Sequence, residues 1–115
     1  MDHDDLLHPD ALAIFVRTLD AGAEADVFYS DELRINASGF ATARVRKCSI
    51  SGDLLRSCNA VLHFCLIRRG LLEKLGRLDP GFDGAQDHDL MLRAFDAGAR
   101  FRHMPFFLYA WRIHG

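Results

Sequence analysis

Two groups of acidic residues carry the chemistry open to this sequence. The first is Asp2, Asp4 and Asp5. Carboxylates one residue apart can face one cation where the backbone turns, and hard divalent ions require such oxygen donors. The same residues also suit a solvated segment with Asp5 near a helix start, where the macrodipole favours negative charge. The second group is Gln86, Asp87, His88 and Asp89, placed where a Gly-rich stretch enters a helix. There Asp87 would border a cleft and stay ionised, as a general base must. Its alternative role is a helix cap, with Asp89 in an ion pair.

Histidines stand at positions 3, 8, 63, 88, 103 and 114, without H-E-x-x-H spacing or pairing with cysteine, so a structural zinc site is not expected. His63 lies inside an apolar run and reads as a core histidine or a ligand contact. His114 follows an aromatic stretch and would reach a site at the end of a strand. G-x-S-x-G, P-loop and G-x-G-x-x-G motifs are absent.

The elements that must position these groups alternate. Pro9 suits a first helical turn, and Leu12, Phe15, Val16 and Leu19 follow at helical spacing up to Gly22. Val27 to Tyr29 reads as a short buried strand, with Asp31 and Glu32 at its carboxyl end. Residues 33–46 read as a hairpin or irregular loop around Asn36 to Gly39. Ser51 is a candidate cap for a short helix through Ser57. Val61 to Ile67 reads as a second buried strand, and Leu71, Leu72 and Leu75 as one helical face ending at Gly76. A turn-rich loop spans Leu78 to Gly84. Gln86 to Ala97 is the clearest helix, and two strands, Phe101 to Met104 and Phe106 to Trp111, flank Pro105. Alternating helices and strands give an α/β class, in which sites sit at the carboxyl ends of strands.

The chain has 115 residues, enough for one domain with a modest core. Hydrophobic residues are 50% and charged residues 26%, which excludes a disordered acidic or basic tail. The net charge of −2 gives no global field for nucleic acid or anionic membranes. Three cysteines without metal spacing read as reduced thiols, and no apolar run approaches a membrane span. These features lead to an expectation of a cytoplasmic protein.

In order, the motifs resemble those of family 2 glycosyltransferases with the GT-A fold. Asp2 to Leu12 resembles the D-x-D segment, and Ala25 to Glu32 the strand that follows it. Cys58 to Arg69 resembles the strand and helix start before the catalytic loop. Gly84 to Arg93 resembles the Glu-Asp-x-Asp-Leu motif, with Gln86 in place of the commoner Glu. His103 to Pro105 and Leu108 to His114 resemble the closing strand. The variant is most similar to rhamnosyl- and O-antigen-type transferases.

The resemblance implies a partial GT-A fold, a mixed sheet flanked by helices, in one acceptor-side domain over residues 1–115. The nucleotide-binding half would precede the D-x-D segment and is missing from this chain. By the same resemblance, Asp2, Asp4 and His114 would hold Mn²⁺ or Mg²⁺, and Asp87 would be the catalytic base. Asp5, His63, Gln86, Trp111 and Arg112 would contact substrate. The implied partners are a nucleotide-sugar donor and a glycan or lipid-linked acceptor, without nucleic acid. A rival reading is a non-catalytic relic or an oligomerising module. Self-association is expected either way, because Phe28, Phe64, Leu66, Phe106 and Phe107 have too little chain to bury them.

Overall fold

The computed structural model describes residues 3–58, 60–61, 63–76 and 86–114, and the side chain of Gln86 is outside the description. In chain order the elements are β1 (Leu6–Leu7), α1 (Ala11–Asp20), β2 (Val27–Ile35), β3 (Ala41–Val45), α2 (Gly52–Ser57), β4 (Cys65–Ile67), α3 (Arg69–Leu75), α4 (Gln86–Asp96) and β5 (Phe101–Arg112). They form an α/β fold around one mixed five-stranded sheet in the order β1-β5-β2-β3, with β4 also on β2.

β2 is the centre of the sheet because the sequence gives it two uses. Its first half, Val27 to Tyr29, pairs antiparallel with β4, and its second half, Glu32 to Ile35, pairs antiparallel with β3. Along its other edge it runs parallel to β5 for its whole length. The short strand read at Val27 to Tyr29 therefore extends through Asp31 and Glu32, which are buried within it. The two strands read around Pro105 are one strand, β5. Ser30 pairs with Met104 and Asp31 with Phe107, so Pro105 and Phe106 form an irregularity that absorbs the missing N–H of proline. The strand read at Val61 to Ile67 is shorter, Cys65 to Ile67, although Val61 is fully buried.

Alternation along β2 builds two cores. Val27 and Tyr29 meet Leu55 of α2, Leu90 and Met91 of α4 and, from α3, Leu71, Leu72 and Leu75. Phe28 meets Ala11, Ile14 and Phe15 of α1, with Met104 and Leu108 of β5. The sheet is thus covered by α1 on one face and by α2, α3 and α4 on the other. Local signals set the helix ends. The Ser51 hydroxyl accepts from Leu54 N–H at 3.2 Å, and Gly76 ends α3 at φ +80°.

The expected lack of cover at Phe28 is corrected by α1: Phe28 is only 4% exposed and meets Phe15 edge-on at 5.1 Å. Phe106 is exposed on β5, as expected, and Leu12, Val16 and Leu19 face solvent on α1. Among the described residues, no helix is long and apolar enough to cross a membrane, and Cys48, Cys58 and Cys65 are free thiols.

Candidate functional site

The carboxyl ends of β2 and β5, which run parallel, gather most of the expected site residues. This is where an α/β sheet leaves room for a ligand, because the next connections diverge from the strand ends. The residues just before β1 lie beside the end of β5. His114 Nε2 bonds the Asp4 carboxylate, and that hydrogen bond holds the Asp4 carboxyl below its ordinary value. Asp2, the third expected metal ligand, lies outside the described residues.

Asp5 is buried where Asp4 is not. Its carboxylate accepts from the Tyr109 hydroxyl at 2.5 Å and from the Arg112 backbone N–H at 3.0 Å. These bonds tie the segment to β5 and leave Asp4 beside His114. The Arg112 guanidinium makes a second tie, donating to the carbonyls of Asp4 (2.9 Å), Asn36 (3.0 Å) and Ala37 (2.9 Å). In this structure Asp5 and Arg112 therefore hold backbone in place around Asp4.

A cleft of about 460 Å³ opens between the ends of β2 and β3 and the α2 side of the sheet, lined in part by Glu32, Arg34, Lys47, Cys58, His63 and Trp111. The parallel register sets Glu32 beside Tyr109 and Arg34 beside Trp111. His63 stacks on Tyr109 at 5.1 Å and lies tilted against Trp111 at 4.7 Å. Its Nδ1–H donates to Glu32 Oε2 at 2.5 Å, and the residue lines the cleft. Lys47 Nζ lies 4.0 Å from Glu32 and donates to the Ala60 carbonyl at 3.2 Å. Burial pushes the Lys47 ammonium below its ordinary pKa, against the pull of Glu32 and Asp31.

Asp31 is the second buried carboxylate of β2. It accepts from Lys47 N–H at 2.6 Å and from His103 Nε2 at 2.7 Å. His103 stacks on Tyr29, whose hydroxyl donates to the Cys48 carbonyl at 2.6 Å. Burial, with added negative charge from Cys48 and Asp31, pushes the Tyr29 pKa up to about 12.

Asp87 is exposed in the first turn of α4, and its Oδ1 accepts from His88 N–H at 2.8 Å. Burial raises the pKa of the Cys65 thiol, and the negative charge of Asp87 adds to that shift. His88 Nε2 bonds the Leu55 carbonyl at 2.6 Å, and because a carbonyl only accepts, the proton is on Nε2. That bond fixes α4 against α2. Asp89 pairs with Arg93 at 2.9 Å, as its spacing predicts. The turn-rich loop before α4 lies outside the described residues.

Sequence reasoning therefore reached Asp4, His114, His63 and Trp111 as neighbours of one sheet end. It missed Glu32 and Lys47 as members of the same cleft. The available signal was Ser30-Asp31-Glu32, three polar residues inside a strand that otherwise reads as core. Such groups are kept in a core only when paired.

Asp4 and His114 offer a carboxylate oxygen and an imidazole nitrogen, donors that suit Mn²⁺. Among the described residues, no group of three or more His, Cys, Asp or Glu converges on one point. A second depression of about 410 Å³ lies between α1 and β5, and none of the described expected site residues lines it.

No protein-family model matches the chain. It is 42% identical over 106 residues to the O-antigen biosynthesis protein RfbC of Myxococcus xanthus, an alignment covering 92% of this chain and 8% of that protein. It is 36% identical over 114 residues to the uncharacterized protein y4gI of Sinorhizobium fredii, covering 97% of this chain and 12% of that protein. The chain thus spans about a tenth of the length of the curated relatives it matches, one of which is named for O-antigen biosynthesis.

Proposed function

We propose that this chain is the acceptor-side part of an inverting, metal-dependent GT-A glycosyltransferase domain in polysaccharide synthesis. The observation that carries this reading is the contact of His114 with Asp4 at the carboxyl end of β5, beside the parallel strand β2. Two residues that lie 110 positions apart meet where an α/β sheet places its ligands. The similarity to a protein named for O-antigen biosynthesis supports a sugar substrate.

In this reading Asp2, Asp4 and His114 hold Mn²⁺ or Mg²⁺, which when bound offsets charge on the diphosphate of a nucleotide-sugar donor. Asp5 and Arg112 keep Asp4 in register with β5. Asp87, at the start of α4 where the helix dipole favours a carboxylate, takes the proton of an acceptor hydroxyl. That oxygen attacks the anomeric carbon opposite the departing diphosphate, so the centre inverts. Gln86, His63 and Trp111 contact the sugar or the glycan or lipid-linked acceptor.

The test is transfer from a panel of nucleotide sugars by the chain joined to a nucleotide-binding half of the same type. Asp87→Asn should lower turnover by about 10²–10⁴-fold, the usual worth of a positioned base. A loss of only a few-fold would move the base elsewhere. A second reading, a non-catalytic oligomerising module, is favoured by the exposed Leu12, Val16 and Leu19 face of α1. In that case turnover would be absent with Asp87 intact.

A further inference from the structure

We propose that the cleft between β2, β3 and α2 binds a phosphate group, with Arg34 at its mouth and Lys47 in its wall. The proposal rests on the sugar-transfer reading only for the source of the phosphate.

Charge and geometry argue for it together. Glu32 is the one carboxylate among the described residues lining the cleft, against Arg34, Arg46 and Lys47. Arg46 also lines the cleft, and its guanidinium lies over Phe107, at 5.6 Å from the ring centre. Arg34 lines the cleft beside Trp111. Its guanidinium lies over Trp111 at 5.5 Å, and among the described residues no carboxylate or carbonyl engages its N–H donors. A stacked guanidinium with an unengaged fork is held in place for a bidentate anion, and phosphate matches that fork.

Lys47 supplies the second positive charge. Its side chain is only 10% exposed and is anchored by Glu32 and the Ala60 carbonyl. Burial disfavours the Lys47 ammonium most, Glu32 and Asp31 favour it, and Arg34 adds a smaller opposing effect. A phosphate beside Lys47 and Arg34 would favour both charged forms. Trp111 is packed against Arg34 and His63 and so supports the guanidinium.

Trp111 is the one tryptophan in the chain, so its fluorescence reads this cleft directly. Inorganic pyrophosphate, titrated with EDTA present, should give a saturable change. Arg34→Gln should weaken binding about tenfold or more, the worth of a charge-assisted hydrogen bond, and Lys47→Gln should act in the same direction. Arg34 is exposed, so its replacement leaves the fold intact. Uridine diphosphate and glucose 1-phosphate then distinguish the sources: tighter binding of the first assigns the donor's phosphates, and of the second a phosphate on the acceptor. Absence of saturable binding overturns the proposal, as does an Arg34→Gln variant that titrates like the parent or glucuronate binding tighter than pyrophosphate. Because the chelator removes any metal and no turnover is required, a failure of the transferase reading would leave this result standing, and the reverse.

Discussion

The Tyr109 hydroxyl donates to the Asp5 carboxylate at 2.5 Å, joining residues 104 positions apart. Both groups are buried, at 3% and 4% exposure. A charge withdrawn from water this far is tolerated only because donors surround it, here the Tyr109 hydroxyl and the Arg112 N–H. The bond also decides where Asp4 stands, since Asp4 is the neighbouring residue.

Asp5→Asn should therefore destabilise the fold, because the amide presents N–H groups to donors. We expect a loss of about 1.5–3 kcal/mol, the range for hydrogen bonds to charged groups, seen as a lower Tm in thermal unfolding. Tyr109→Phe should cost less, on the order of 1–2 kcal/mol, because Arg112 N–H still serves the carboxylate. An unchanged Tm for both variants would remove the anchoring role of Asp5.

Leu55 is fully buried at the meeting of α2, α4 and β2. Leu55→Ala should cost about 2–5 kcal/mol, the transfer loss plus the cavity left behind. Denaturant unfolding gives the value, and a loss below about 1 kcal/mol would mean that α2 repacks freely.

Asp26 lies at the other end of β2. The Arg100 backbone N–H, aided by the charges of Arg100 and Arg68, lowers its pKa from the ordinary carboxylate value of 3.8. A depressed folded pKa means that the unfolded chain takes up the proton first as pH falls. The stabilising contribution is thus complete well above pH 3.8 and fades as pH drops through 3.8 toward the lower folded value. Asp26→Asn should flatten that part of the acid-unfolding profile. An unaltered profile would place the acid sensitivity elsewhere.

Much of the fold was legible where local physics decides it. The helical spacing after Pro9, the Ser51 cap and the Gly76 stop all gave elements at the expected places. What local reading missed was set by pairing at a distance. Asp31 and Glu32 read as a strand end because polar residues rarely continue a core strand. They remain in β2 because His103, Lys47 and His63 arrive from other segments to satisfy them. Leu12, Val16 and Leu19 form a regular helical stripe, yet α1 turns Ala11, Ile14 and Phe15 to the sheet instead. Periodicity shows that a face exists, and packing chooses which face is used.

That unused stripe leads to an expected self-association. Leu12 and Val16 are one helical turn apart and more than half exposed, at 59% and 51%. Exposed apolar surface of this kind promotes association. Analytical ultracentrifugation at micromolar concentration should show dimers or larger species, reduced by Val16→Lys. A monomer in both cases would show that the stripe is tolerated in water.

Binding of Mn²⁺ tests the central claim most directly. Paramagnetic broadening, followed by NMR, should strike the His114 imidazole and the Asp4 signals at the lowest Mn²⁺ concentration, before the other histidines. Asp4→Ala should abolish the selective effect. Broadening spread evenly over the histidines, or unchanged by Asp4→Ala, would contradict a metal site at the end of β5 and with it the metal-dependent transfer proposed for this chain.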